Sequence, residues 1–372
     1  MRTPICDLLG IDLPIFAFTR SREVVVEVSK AGGLGVLGAI AFSVDELEPE
    51  LEWIDAHIDG RPYGVDVVMP AGIVEADPGA LEGMIPESHR QFVEDVLARF
   101  NVPALPAGGP DAWNGLLAWV HDRARSQVDI ALSHPIRLLA NALGPPPPDV
   151  VAAAHEHGVK VAALAGNAVH ARRHVEAGVD IIVAQGTEAG GHTGDIATLV
   201  LVPEVVDALP GVPVLAAGGI GSGRQIAAAL AMGAEGVWTG SIWLAVAEAD
   251  THPAVVQKLL DATSRDTVRS RSWTGKPARM LRTAWTEAWD AEDSPGALPM
   301  PLQFMLTADA QARMHRFAER EAHELVGTPV GQIVGKMQEV RTTREVMDTL
   351  VREFDAAADR LAQLRAPLQQ PR

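Results

Sequence analysis

Between residues 150 and 250 the chain repeats one pattern: a glycine, a short unbroken apolar run, and a second glycine at the end of the run. His157-Gly-Val-Lys-Val-Ala-Ala-Leu-Ala-Gly166, Ala177-Gly-Val-Asp-Ile-Ile-Val-Ala-Gln-Gly186, Pro210-Gly-Val-Pro-Val-Leu-Ala-Ala-Gly-Gly219 and Met232-Gly-Ala-Glu-Gly-Val-Trp-Thr-Gly240 are versions of it. Unbroken rather than alternating apolar runs belong to strands covered on both faces, as in a parallel sheet. The first glycine of each unit can end a helix. The segments between the runs read as helices. Asp149 precedes one reaching His157, Asn167 caps one over 168–176, and Ser222-Gly-Arg-Gln225 reads as a capping box before 226–232. The repeated unit is βα.

Four earlier runs, at 13–18, 33–40, 63–69 and 136–143, predict four more strands. Helices fit the early gaps, at 22–30 and after Ser43, where Glu46 completes a capping box. Eight parallel strands with intervening helices predict an α/β fold, a (β/α)₈ TIM barrel over residues 1–250. Two stretches fall outside the repeat. Residues 72–134 are too long for a βα connection and carry helical patterns at 88–100 and 112–125, which predicts a helical insertion above the barrel. Residues 251–372 have helical period and high charge, and predict a helical C-terminal extension that packs on the barrel or covers its mouth.

Composition narrows the partners. A formal charge of −17 would repel phosphate backbones and anionic lipid, so neither nucleic acid nor a membrane is expected as partner. Cys6 is the only cysteine, which excludes an intramolecular disulfide and a thiolate-rich metal centre. No apolar stretch has the length of a signal peptide or a membrane span, so a cytoplasmic location is expected. Homodimerisation is left open.

In this fold active sites lie at the C-terminal ends of the strands, and phosphate commonly binds at the loops after the seventh and eighth. Ala217-Gly-Gly-Ile-Gly-Ser-Gly223 and Thr239-Gly-Ser241 stand at those two places. Small residues let backbone N–H groups approach a phosphate, and a following helix adds its dipole. The competing reading is that the glycines only make tight turns; two glycine-rich loops at the two expected ends favour phosphate. After the sixth strand comes Gln185-Gly-Thr-Glu-Ala-Gly-Gly-His-Thr-Gly-Asp195, which sets His192 on a glycine-shaped loop at the mouth, where it can act as a base or a hydrogen-bond donor. Other motifs are weaker. Gly33-Leu-Gly-Val-Leu-Gly38 matches a dinucleotide fingerprint but forms a strand instead of following one. His170 and His174, like His155 and His157, read as solvated helix faces, not metal ligands, and Cys6 as an inert thiol.

These residues resemble the nitronate monooxygenase family, formerly 2-nitropropane dioxygenases, over roughly 1–70 and 133–250. Gln185 to Gly194 is similar to the family's Q-G-x-E-A-G-G-H-x-G, supported by Ala31-Gly-Gly-Leu-Gly35, Pro213-Val-Leu-Ala-Ala-Gly-Gly-Ile220 and Gly240-Ser241; Gly331-Gln332 resembles a late motif. The resemblance implies non-covalent FMN, contacted by Asp66, Gln185, Gly190, Gly218, Gly219, Trp238, Thr239, Gly240 and Ser241, with His192 as the catalytic histidine. Asp66 replaces a common Asn, and Trp238-Thr-Gly-Ser241 replaces Q-M-G-T. The implied reaction is oxidation of a nitronate, a small-molecule substrate, by O₂. An NAD(P)H-dependent quinone or enoyl-thioester reductase, a non-catalytic flavin-binding barrel, and a metal-dependent or sugar-phosphate barrel without flavin are the alternatives.

Overall fold

The apolar runs form strands because each strand is buried on both faces, one toward the barrel axis and one toward a ring of helices. The computed structural model describes residues 1–69, 78–106 and 121–364. Strands β1 (Ile15–Thr19), β2 (Leu34–Gly38), β3 (Tyr63–Asp66), β4 (Leu138–Asn141), β5 (Lys160–Ala165), β6 (Ile181–Gln185), β8 (Val214–Ala217) and β9 (Gly236–Thr239) pair in parallel in that order. β9 then pairs with β1 and closes the TIM barrel. Inside it pack Phe16, Leu34, Val36, Leu138, Ile181, Leu215 and Trp238. A short helix, α1 (Pro4–Leu9), plugs the N-terminal end with Ile5, Cys6 and Leu9, so Cys6 is a fully buried packing residue.

The ring helices are α2 (Arg22–Lys30), α3 (Val44–His57), α6 (His121–Ser133), α7 (Pro148–Glu156), α8 (Ala168–Glu176), α9 (Thr198–Ala208) and α10 (Gly223–Ala231). Ser43 and Glu46 make the expected reciprocal cap of α3, and Asn167 accepts from the His170 N–H at the start of α8. Asp149 does not cap α7; the helix begins on Pro148, and Pro147 holds the cap position. Proline preset for the first turn wins over the carboxylate there.

Two expectations about the additions change. The segment 72–134 is not all insertion, because α6 carries Ala124, Val128, Ala131 and Leu132 into the main core and packs on α3 and α7 as a ring helix. Part of the helix expected at 112–125 lies outside the described residues. The remainder of the insertion, α4 (Pro78–Gly83) and α5 (Glu87–Arg99), leaves the ring and packs on α13 (Leu302–Arg316) of the C-terminal region. Together they bury a second core with Val93, Leu97, Trp285, Trp289 and Met305. The last helix, α14 (Thr343–Leu364), instead lies between α10 and α2, in the ring position that residues 241–250 leave empty. The C-terminal region therefore contributes both to the second core and to the ring of helices. No helix among the described residues is long and apolar enough to cross a membrane.

The tie between insertion and extension is Arg313. Its guanidinium is 7% exposed and donates to both oxygens of Glu94 at 2.9 and 3.0 Å, to Pro103 O at 2.9 Å and to Val102 O at 2.9 Å. Loss of charge-assisted bonds to otherwise buried carbonyls costs about 1.5–3 kcal/mol. Arg313→Ala is expected to lower unfolding stability by about that amount in a urea titration followed by tryptophan fluorescence; a change within error would show that the second core holds without the clasp.

Candidate active site

The barrel brings the sequence-selected residues to one end. Asp66 closes β3, Gln185 closes β6, and Trp238 and Thr239 close β9. Register sets Gln185 beside Ala217 and Ala217 beside Trp238. Gly218 and Gly219 thus leave the sheet between the loops that carry His192 and Ser241. Trp238 points inward and stacks on Phe16 and Phe18, with ring centroids 6.2 and 6.4 Å apart. Thr239 is structural from its side chain outward: the hydroxyl donates to Phe16 O at 2.8 Å and accepts from the Trp243 indole at 2.9 Å.

The phosphate-loop expectation meets a defined backbone. Gly218 and Gly219 have φ of 106° and 69°, a region that side chains avoid. The N–H groups of Gly219 and Ile220 donate to no described acceptor, so they suit an anion. The helix that follows is arranged differently from the expected capping box. Ser222 holds the cap position of α10 without accepting from the helix. Gln225 turns back into the loop: its Oε1 accepts from Gly221 N at 3.0 Å and Ser222 Oγ at 2.8 Å, and its amide donates to Gly219 O. The Gly223 N–H is already taken by Glu353 of α14 at 2.8 Å. The glycine loop, more than the helix end, is what remains for a phosphate.

The histidine loop is held from three directions. Glu188 accepts from Thr198 N and Oγ1 at 2.9 and 2.8 Å, which caps α9. Arg279 donates to Thr187 O at 2.8 Å. Gly191–His192 forms a two-residue strand, β7, paired antiparallel with β11 (Ala278–Leu281), which itself pairs with β10 (Thr267–Ser270). Close backbone approach locks the third side. A Cβ on Gly190 would lie 2.8 Å from Val330, and one on Gly331 would lie 2.5 Å from Glu188 O. In that crossing Gly331 N donates to Ser241 Oγ at 2.8 Å and Gln332 N to Glu188 O at 2.9 Å.

His192 is half-buried, and its Nε2 lies 2.7 Å from the hydroxyl of Thr274, itself 7% exposed. Burial, with the cationic Lys276 nearby, pushes the imidazole down to about 4, so it is neutral at pH 7. Asp66 is 2% exposed, and burial pushes its carboxyl up to about 7. The other histidines stay apart. His174 is not on a solvated face; it is 2% exposed and its Nε2 lies 3.0 Å from Leu164 O. His155 pairs with Asp180 at 2.8 Å. Among the described residues no group of three or more His, Cys, Asp or Glu could hold a metal.

A glycine-framed strand-end site with a neutral histidine is one that several chemistries could share, and comparison with known proteins decides between them. The family model described as nitronate monooxygenase matches residues 2–353. The chain belongs to the nitronate monooxygenase family. A Mycobacterium tuberculosis protein named as a monooxygenase is 55% identical to this family member, over 99% of this chain and 100% of its own. A second protein of that organism, named as a 5-hydroxy-7a-methyl-1-oxo-octahydro-1H-indene-4-carboxyl-CoA dehydrogenase, is 30% identical over 77% of this chain and 68% of its own. Among solved structures, a nitroalkane oxidase from Streptomyces ansochromogenes superposes with a TM-score of 0.79 at 27% identity, covering 96% of this chain and 99% of that one.

In this family member, the residues that sequence reasoning missed lie on the hairpin around β10 and β11: Thr274, Lys276 and Arg279. Nothing in hydrophobic period or glycine spacing points to them, because they reach the site only through the pairing of β11 with β7. Thr274→Val is expected to lower turnover about tenfold, the worth of one positioned hydrogen bond, with Ser at 274 restoring it and no change in thermal midpoint. Turnover unaffected by the valine would mean that His192 is oriented by its strand pairing alone.

Proposed function

We propose that this chain oxidises nitronates with O₂, using FMN bound at the barrel mouth. The observation that carries the reading is that the Gly219 and Ile220 N–H groups, which meet no acceptor among the described residues, and the imidazole of His192 share one strand-end mouth. Gly218, Gly219, Gly240 and Ser241 would hold the FMN phosphate; Asp66, Gln185, Gly190, Trp238 and Thr239 would border the ring. Bound there, the flavin supplies electron transfer from the substrate and the reaction with O₂.

The protein's part follows from its charges. An imidazole held near pKa 4 is a weak base for a nitroalkane α-proton, yet it still carries one N–H. His192 therefore serves better as a donor to an anion already formed, and Lys276, close enough to disfavour its protonation, adds positive field for the same anion. The nitronate, not the neutral nitroalkane, is the substrate form that this site suits. The apolar Phe16–Phe18–Trp238 stack would give the mouth an apolar floor.

A second reading has one observation behind it, the 30% identical relative named for a CoA-linked substrate. It makes the enzyme a reductase or dehydrogenase of thioesters. Stopped-flow mixing of the oxidised yellow protein separates the two, since bleaching by NADH or NADPH supports the reductase and bleaching only by a nitronate supports the monooxygenase.

His192→Ala is expected to keep the flavin absorbance near ~450 nm while turnover falls about 10²-fold, the usual effect of losing a positioned catalytic group. Undiminished turnover would sink the assignment of His192. NMR of the imidazole, assigned by comparison with His192→Gln, is expected to show the neutral ring from pH 8 down to about 5 and protonation only as the pH falls through about 4. The sign follows from a lowered pKa: the charge is postponed to more acid solution. A midpoint near the ordinary value of about 6.5 would make His192 a competent base and remove the reason to prefer it as a donor.

A further inference from the structure

β3 ends on a carboxyl that nothing in the described protein answers. Tyr63 and Val65 pack outward into the core beneath the ring helices, so the alternate positions, Gly64 and Asp66, point into the barrel. Asp66 is flanked in register by Gly38 and Ala140, which offer neither a donor side chain nor a charge. Among the described residues, no hydrogen bond or ion pair reaches its carboxyl. The elements packed on β3 bring no counter-charge. β2, β4 and the turn Ala39–Ala41 contain no ionisable side chain. α2 meets the strand from outside, where Arg22 pairs with Glu50 and Lys30 with Asp59, and its Glu23 and Glu27 share that outer side. Across the mouth, Glu188 is engaged by Thr198 and His192 by Thr274.

We infer that Asp66 is a proton-dependent contact of the flavin ring: neutral, it donates one hydrogen bond to a ring carbonyl; ionised, it sets an unpaired negative charge against the same ring. This rests on the reading that FMN occupies the mouth. An amide in the same place would donate at every pH. The carboxyl keeps that ability only while protonated, and burial alone already holds it in the range where both forms coexist near pH 7. A ring lying over it removes further water and favours the neutral form again. Because the complex then holds its proton more tightly than the free protein does, FMN binding takes up a proton and weakens as the pH rises.

The test is the dissociation constant of FMN from the full chain at about pH 6 and about pH 8.5, either side of the carboxyl's range, for the wild type and Asp66→Asn. The phosphate of FMN titrates identically in both, so the comparison removes it. The wild type is expected to lose about tenfold more affinity than the variant between the two values, tenfold for each pKa unit that the ring adds. The holoenzyme's visible band is expected to shift with a one-proton titration that Asp66→Asn abolishes. If the Asn variant does not fold, Asp66→Ser is read in the same way. Equal pH dependence in wild type and variant, with FMN bound in both, would overturn the role of Asp66 and leave the flavin site standing. A protein that takes up no FMN at either pH would overturn the site and this role together.

Discussion

The arrangement depends on one close approach, the crossing of the histidine loop by the segment around Gly331. At Gly190 and Gly331 the two backbones meet at a separation that admits no Cβ on either side. The crossing is cemented by two backbone donors, Gly331 to Ser241 and Gln332 to Glu188. It joins in one knot the loop after β6, the loop after β9 and a stretch of the C-terminal region. Each of these is pinned elsewhere by ordinary means: the first by Glu188 at the head of α9, the second by Thr239 and Trp243, the third by burial of Val330 and Val334 in the second core. A loop of this glycine content would otherwise be mobile, because glycine loses the most freedom on ordering. Here steric closeness converts that permissiveness into a fixed position for His192.

The second core has meaning in the same terms. A barrel buries its own strands, but its mouth is built of loops that cannot bury much apolar surface. Helices α5 and α13 supply that surface above the barrel, and the hairpin of β10 and β11 carries it down to the mouth through two register pairs, Ala278 with His192 and Arg279 with Gly191. The C-terminal region is thus divided in duty. Its first part pairs β11 with the histidine strand β7, and its last helix fills the gap in the ring between α10 and α2, where Glu353 also accepts from the N–H of Gly223. That capping carboxylate explains why the glycine loop and not the helix end is left for an anion.

How far the sequence reached follows from which forces are local. The barrel was legible, because unbroken apolar runs between glycines report two-sided burial directly, and the eight strands lie within a few residues of the predicted runs. The positions of Gln185, Gly218, Gly219 and Ser241 at strand ends followed from that count. Illegible were features set by tertiary contact. Helix α6 reads like its neighbours in the insertion, and only its burial against α3 assigns it to the ring. The Ser222–Gln225 pair has the spacing of a cap, yet the flexible glycines beside it let Gln225 bond backward instead. His174 looks solvated in a polar helix and is buried by the strand beneath it. Thr274 and Lys276 lie some eighty residues from His192 in sequence, and a strand pair is what joins them.

The mouth drives His192 and Asp66 toward neutrality from opposite sides. Removal of water disfavours charge of either sign, so the imidazole is pushed down and the Asp66 carboxyl up. Had the two been in contact, each would have stabilised the charge of the other, as in an ordinary histidine–carboxylate pair. They stand instead on β7 and β3, at different parts of the rim, with Thr274 on one and no described partner on the other. A positive contribution comes from Lys276 and from the glycine-loop N–H groups that meet no acceptor among the described residues, and both would suit an anion at the mouth.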